Sequence, residues 1–220
     1  MLRYIYTSLL FFIVSFGYSQ EVVSWNEIPR GFTLGVNVAG PVYKLLDSDR
    51  SGISFLTRIN IKEDLFFFGE LGFENISFEK TAYSYDSNGS FLKVGAEIDM
   101  LPRKEAGSFD NLLIGLHYGF ALHEQEASSF FIENGYWDDY SGSIASNTVN
   151  THWVELSAGP RAEVFKNLYL SWNLHIRVSL TDNNNSILEP YIIPGFGSGD
   201  NRLNAGFSYV LEYLIPWNRR

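Results

Sequence analysis

The 220-residue chain contains no cysteine. That absence excludes a disulfide scaffold, a thiolate metal site and a cysteine nucleophile, and also the N-terminal Cys on which a bacterial lipoprotein carries its lipid. Positive charge is scarce: 16 Lys and Arg stand against 25 Asp and Glu, a net charge of −9. Phosphate backbones are bound by the opposite sign, so nucleic acid is excluded as a partner. Long apolar runs are missing beyond the first residues, whereas a helical membrane span needs about 20 apolar residues. What the chain does contain is 18 Phe, 13 Tyr and 19 Gly, with a mean hydropathy of only −0.06. Such aromatic content with a hydropathy near zero requires polar and apolar residues interleaved on a short period.

The N-terminus reads as a processing segment. Arg3 supplies a positive start, residues 5–16 form a short apolar stretch, and Gly17 and Ser19 are small residues at the −3 and −1 positions for cleavage before Gln20. Residues 1–19 are therefore expected to be a signal peptide, 20–29 a short periplasmic segment and 30–217 a single barrel domain. No linker or composition shift divides the remainder.

From Arg30 onward apolar residues recur at every second position, the signature of strands. In 168–180, Leu168, Leu170, Trp172, Leu174, Ile176, Val178 and Leu180 share one face, with Tyr169, Ser171, Asn173, His175, Arg177 and Ser179 on the other. The same alternation predicts strands over 32–39, 51–61, 65–78, 91–100, 112–123, 152–164 and 203–215. The expected connections are 41–50, 62–64, 79–90, 101–110, 124–151, 166–167 and 181–202. Two are very short, and the two longest fall on the opposite side from them, which is the layout of an outer-membrane barrel with periplasmic turns and extracellular loops.

Alternation alone does not say whether the apolar face meets a core or lipid, since a lipocalin-like barrel or a sandwich alternates too. The polar face decides. It is dominated by Gly, Ala, Ser and Asn, with Gly35, Gly72, Gly95, Gly115, Gly119, Gly159 and Gly206 on it. Small residues fit the narrow interior of an eight-stranded barrel. The fold class predicted is all-β: an eight-stranded antiparallel up-and-down transmembrane β-barrel with its apolar row toward lipid.

Charges on the small-residue face carry both signs: Arg58, Glu70, Lys93, Glu97, Glu155, Arg161, Arg177 and Glu212, with Glu74 beside them. Enclosed charges must be paired, so these eight are expected to form a lumenal charge network. If Phe165 and Tyr169 flank the turn at 166–168, Ser157 lies opposite Arg177 with Glu155 diagonal to it, and Glu155 and Arg177 can pair. Tyr118, Tyr209, Tyr213 and Trp217 suit interfacial aromatic girdles.

The Ser19-Gln20 junction, the opening Pro29-Arg30-Gly31-Phe32 and the closing Tyr213-Leu214-Ile215-Pro216-Trp217 resemble the small outer-membrane barrels of Bacteroidota. These are the PorT-like and related domain-of-unknown-function families, with a more distant likeness to OmpA and OmpX barrels. The resemblance covers essentially the whole chain after the signal and implies residence in the bacterial outer membrane. The C-terminus departs from the pattern, running past Trp217 to Asn218, Arg219 and Arg220 where many such barrels end on an aromatic residue.

A barrel deacylase would need His and Ser two apart on a lipid-facing strand, with an acid to orient the imidazole. His117, His123, His152 and His175 are followed at that spacing by Gly119, Gln125, Val154 and Arg177. Three of these histidines fall on the lumenal face and His152 at a loop edge. No catalytic residue, cofactor or metal is therefore assigned. The third long connection gathers Phe130, Phe131, Tyr136, Trp137, Asp138, Asp139 and Tyr140, a candidate partner-binding loop. The fourth adds Tyr191, Phe196 and Asp200 to that exposed surface, with residues 195–199 as a glycine hinge. The expected function is a non-enzymatic structural, interaction or accessory component. Its partners are outer-membrane lipid and another outer-membrane or cell-surface protein reached through the loops. The alternatives are an outer-membrane lipid-modifying enzyme and a small-ligand-binding or narrow transport barrel.

Overall fold

The computed structural model describes residues 30–41, 49–80, 83–101, 109–133, 139–181 and 190–217. The expected signal peptide and the 20–29 segment lie outside the described residues. The strands are β1 (Gly31–Asn37), β2 (Arg50–Asn60), β3 (Leu65–Lys80), β4 (Tyr83–Asp99), β5 (Asn111–Ile132), β6 (Tyr140–Phe165), β7 (Leu168–Ser179), β8 (Ile192–Ile193), β9 (Gly197–Ser198) and β10 (Leu203–Pro216). Eight of them close one ring in the order β1-β10-β7-β6-β5-β4-β3-β2, while β8 and β9 pair only with each other. Each pairing in the ring is antiparallel. The chain is an all-β, eight-stranded, up-and-down transmembrane barrel.

The side-chain phase follows the period-two pattern. Leu116, Leu174 and Phe207 project outward and are 61%, 56% and 53% exposed, whereas Arg58, Glu155 and Glu212 project inward and are almost fully buried. An apolar exterior around a charged interior inverts the soluble pattern and suits a wall that meets hydrocarbon. Closure satisfies the backbone hydrogen bonds around the ring and leaves no sheet edge at membrane depth. Among the described residues no helix is long and apolar enough to cross a membrane.

The wall is uneven in height. β1, β2, β7 and β10 have 7, 11, 12 and 14 residues, whereas β3, β4, β5 and β6 have 16, 17, 22 and 26. About 9–11 residues cross a bilayer, so the second group continues beyond it. The loops predicted over 79–90 and 124–151 are therefore corrected: both are largely strand, with Lys80 paired to Tyr83 and Ile132 to Tyr140. The outward positions there are Asn75, Ser77, Glu79, Asn88, Glu124, Glu126 and Thr148. Above the bilayer nothing requires an apolar outer row, and without it the alternation disappears from the sequence. The short turns, the start of β1 and the end of β10 share one rim, here the short-turn rim; the extended hairpins form the opposite, tall rim.

The turn between β6 and β7 also differs from the sequence reading. It has two residues, Lys166 and Asn167, with Asn167 in the left-handed region at φ 65°. Phe165 pairs with Leu168, and a bulge brings Glu163 opposite Tyr169. That shift sets Glu155 directly opposite Arg177 and Ser157 opposite His175, rather than Ser157 opposite Arg177.

Candidate functional site

The lumen contains two arrangements stacked along the barrel axis. Nearer the short-turn rim, Arg58 of β2 lies between carboxylates from β4 and β10. Its Nε donates to Glu97 Oε2 at 2.5 Å, Nη2 to Glu97 Oε1 at 3.2 Å, and Nη1 to Glu212 Oε1. Glu212 also accepts from Arg161 Nε at 2.9 Å and from the Ser171 hydroxyl. The Arg161 guanidinium donates onward to Asn111 Oδ1 at 2.8 Å and to Thr33 Oγ1 at 3.2 Å, and its carbon lies 3.6 Å from the Tyr169 ring centroid. Forked donors meeting carboxylates supply both strength and orientation.

One level farther up, Glu155 is the centre. Arg177 Nε donates to its Oε2 at 2.6 Å, Lys93 Nζ lies 3.1 Å from the same oxygen, and His117 and His175 present Nδ1 to Oε1 at 3.2 and 3.0 Å. Lys93 also reaches Glu70 at 3.1 Å, and Glu70 accepts from Ser54 Oγ at 2.6 Å. His117 Nε2 lies 3.5 Å from Glu97 Oε1 and relates the two levels; its ring stacks on Phe68 at 4.2 Å. The eight charged residues singled out in the sequence thus all point inward, four cations to four carboxylates, each within ion-pair distance of an opposite charge.

Above this layer the lumen holds both buried polar side chains, His123, Gln125, Ser87 and Thr151 among them, and an apolar group. Phe91, Ala121, Trp153, Ile193 and Phe196 form a buried cluster, of which Ile193 and Phe196 belong to the β7–β10 connection. That connection leans into the barrel mouth. Phe196 is fully buried, its ring centroid 5.7 Å from that of Trp153. Arg177 Nη1 donates to the Phe196 carbonyl at 3.1 Å, and the Gly195 amide donates to Glu74 Oε2 at 3.1 Å. Gly195 and Gly197 have φ of 71° and 117°, left-handed values that favour glycine and turn the chain sharply around Phe196. Phe196 therefore does not belong to an exposed partner surface, and residues 195–197 form a tight turn rather than a hinge. Trp153 is accommodated by Gly119, its cross-strand partner, where a Cβ would lie 2.1 Å from the indole.

Several of these residues were within reach of the sequence. Trp153 falls on the small-residue face with Glu155 and Ser157, and a Trp on that face needs a glycine opposite. Arg50 begins β2 one residue before the predicted start, and its Nε donates to Glu74 Oε1 at 2.6 Å. Nothing in the local sequence marks Phe196 as inward, because its loop reaches the lumen from outside the ring.

The candidate partner loop divides differently. Phe131 and Tyr140 are 46% and 61% exposed, Asp139 is exposed, and Phe130 packs beside Tyr140 with ring centroids 5.9 Å apart. Tyr136, Trp137 and Asp138 lie outside the described residues. On the outer wall, the Tyr118 hydroxyl and His152 Nδ1 are 2.5 Å apart beside Phe120, and Tyr118, Tyr209, Tyr213 and Trp217 all project outward.

A family model described as a domain of unknown function (DUF6048) matches residues 1–220. Among solved structures, the chain is similar to the crystal structure of Ail, the attachment invasion locus protein of Yersinia pestis. Identity is 10%, coverage is 86% of this chain and 98% of that one, and the TM-score is 0.43. The structure of Ail in complex with the heparin analogue sucrose octasulfate aligns at 10% identity, 84% and 98% coverage and a TM-score of 0.37. No curated protein matches the chain.

Proposed function

We propose that this chain, which belongs to the DUF6048 family, is a non-enzymatic outer-membrane barrel that acts as an accessory component and holds a partner protein through its tall rim. Its place in the outer membrane is supported by the apolar outer row and by the even strand number, which puts the start of β1 and the end of β10 at one rim. A cleaved signal over residues 1–19 and the PorT-like kinship of the opening and closing strands belong to the same proposal. The tall rim then faces outward from the cell.

The observation that carries the reading is the free side of β6. Its ladder with β7 begins at Trp153, so among the described residues the β7 side of residues 140–150 has no partner strand. This edge reads Tyr-Ser-Gly-Ser-Ile-Ala-Ser-Asn-Thr-Val-Asn. It lacks the Lys, Glu and Pro with which exposed edges ordinarily discourage pairing. An extended segment of another outer-membrane or cell-surface protein can add to it as a further strand, with main-chain bonds for affinity and alternate side chains for specificity. Phe131 and Tyr140 give that partner aromatic anchors. The non-enzymatic part is supported by the sequence around the histidines: none of His117, His123, His152 and His175 is followed two residues on by Ser.

Cross-linked capture from intact cells tests the reading. Ala145→Pro places a residue without a backbone N–H in this segment, and deletion of residues 128–146 removes the hairpin tip. Both are expected to lose a partner that the unaltered barrel retains, while heat-modifiable gel migration stays unchanged. Capture of the same partners by all three proteins would overturn the hairpin reading. Recovery as a soluble periplasmic protein would overturn the membrane one.

A further inference from the structure

The outer wall carries a shallow, open recess. The recess, of about 810 Å³, crosses β2 to β6 at a single level, set by the pairs Ile53 with Phe73, Asn75 with Asn88, and Asn88 with Glu124. Its lower part is formed by Ile53, Phe73 and Leu122, which are 41%, 52% and 46% exposed. Its upper part is formed by Asn75, Asn88 and Glu124, with the hydroxyls of Ser90 and Thr148 alongside. Glu74 and His123 contribute wall at the same level but alternate to the inward face. The recess therefore straddles the line where the outer row changes from apolar to polar.

We propose that this recess holds the headgroup of one membrane lipid bearing a primary amine, with its acyl chains over Ile53, Phe73 and Leu122 and its ammonium on Glu124. The occupant must be an amphiphile, because the apolar part continues into the lipid-facing wall and the polar part does not. The sign of its charge follows from the lining, which among the described residues includes no Lys or Arg. Glu124 is the sole ionisable side chain directed outward there, and the Ser146 hydroxyl donates to its Oε1. A headgroup with only negative charge would meet that carboxylate without a counter-charge. A zwitterionic headgroup offers ammonium N–H donors to the carboxylate, and its phosphate oxygens can accept from the side-chain amides of Asn75 and Asn88. The site rests on the membrane seat of the barrel and is independent of the β6 edge.

The test is native mass spectrometry of the full barrel released from vesicles of equal phosphatidylethanolamine, phosphatidylcholine and phosphatidylglycerol. Phosphatidylethanolamine is expected to be retained about tenfold over phosphatidylcholine, whose quaternary nitrogen has no N–H, as one charge-assisted hydrogen bond allows. Glu124→Gln is expected to abolish that preference, and Glu124→Lys to turn it toward phosphatidylglycerol. Glu126→Gln, outside the recess on the same strand, should leave it intact. Equal retention of the three lipids, or a preference that survives Glu124→Gln, overturns the site. Gel migration of the same samples reports the membrane seat separately, so a misfolded barrel and a failed lipid site give different results.

Discussion

The two ends of the lumen are filled by different means. Toward the short-turn rim the wall fills itself: Arg58, Glu97, Arg161 and Glu212 come from four strands and meet at the axis. Toward the tall rim the filling comes from outside the ring, with Phe196 and Ile193 lowered onto Trp153 and Phe91 by the β7–β10 connection. The height of the wall accounts for the difference. Where all eight strands are present, long side chains reach one another across the interior, and the polar ones must pair because they are buried. Where β1, β2, β7 and β10 have ended, one side of the mouth is low, and a loop crosses it carrying an aromatic. The closed half depends on charge balance, and the seat of the β7–β10 turn in the open half on the apolar burial of Ile193 and Phe196.

The contrast is broken most directly at Arg58. Replacing it with Met removes one cation from between two buried carboxylates, and breaking a buried pair from one side costs about 3–5 kcal/mol. The urea midpoint of barrel refolded in vesicles, followed by gel migration, should fall accordingly. Neutralising Glu97 as well, Arg58→Met with Glu97→Gln, should recover part of that loss, because no uncompensated charge then remains at Glu97 while Glu212 keeps Arg161 as its partner. A double variant no more stable than the single one would mean that Arg58 acts through packing on Phe68, 5.4 Å from its ring centroid, rather than through charge.

Phe196→Ala probes the opposite end, and its effect is expected to be smaller. Deleting a buried Phe costs about 3–5 kcal/mol in a core that must unfold as a whole. Here the loop can leave while the ring stays closed, and such local opening caps the loss of global stability below that range. Hydrogen exchange should show the change best: protection of the Gly195, Phe196 and Gly199 amides, which donate to Glu74, Ile193 and Tyr191, should drop while the strand amides keep theirs. Loss of protection throughout the strands would show that plug and wall are one cooperative unit, and the contrast between the two halves would fail.

How far each half is legible in sequence follows from the same division. Period two persists wherever one face meets lipid, so the eight strands and the inward phase of residues such as Glu155 and Arg177 are readable from alternation alone. Their exact opposition is not readable, because a bulge near Glu163 shifts the pairing after a turn that looks ordinary. The tall hairpins are hidden for a related reason: Ser, Asn and Gly in 79–90 and 140–150 read as loop once the outer row is no longer apolar. The plug is the least legible part. Phe196 sits among Gly, Ser, Asp and Asn, and only the low wall between β7 and β10 shows that its loop turns inward.

The smallest stability effect is expected at the hairpin tip, where it sharpens the comparison most. Phe131→Ser with Tyr140→Ser removes two exposed rings from an extension that stands clear of both lumenal layers, and surface changes of this kind stay within about 0.5 kcal/mol. The urea midpoint and the protection of the Phe196 amide should therefore match those of the unaltered barrel. The extension is held by its own ladder, with Phe130 opposite Gly142 and Ile132 opposite Tyr140, so it can carry a binding surface without drawing on the interior. Loss of cross-linked partner in this variant with the midpoint unchanged would separate recognition from stability along the barrel axis. A midpoint lowered as much as by Arg58→Met would instead make the hairpin part of what holds the ring closed, and its exposed rings would then need explaining as structure.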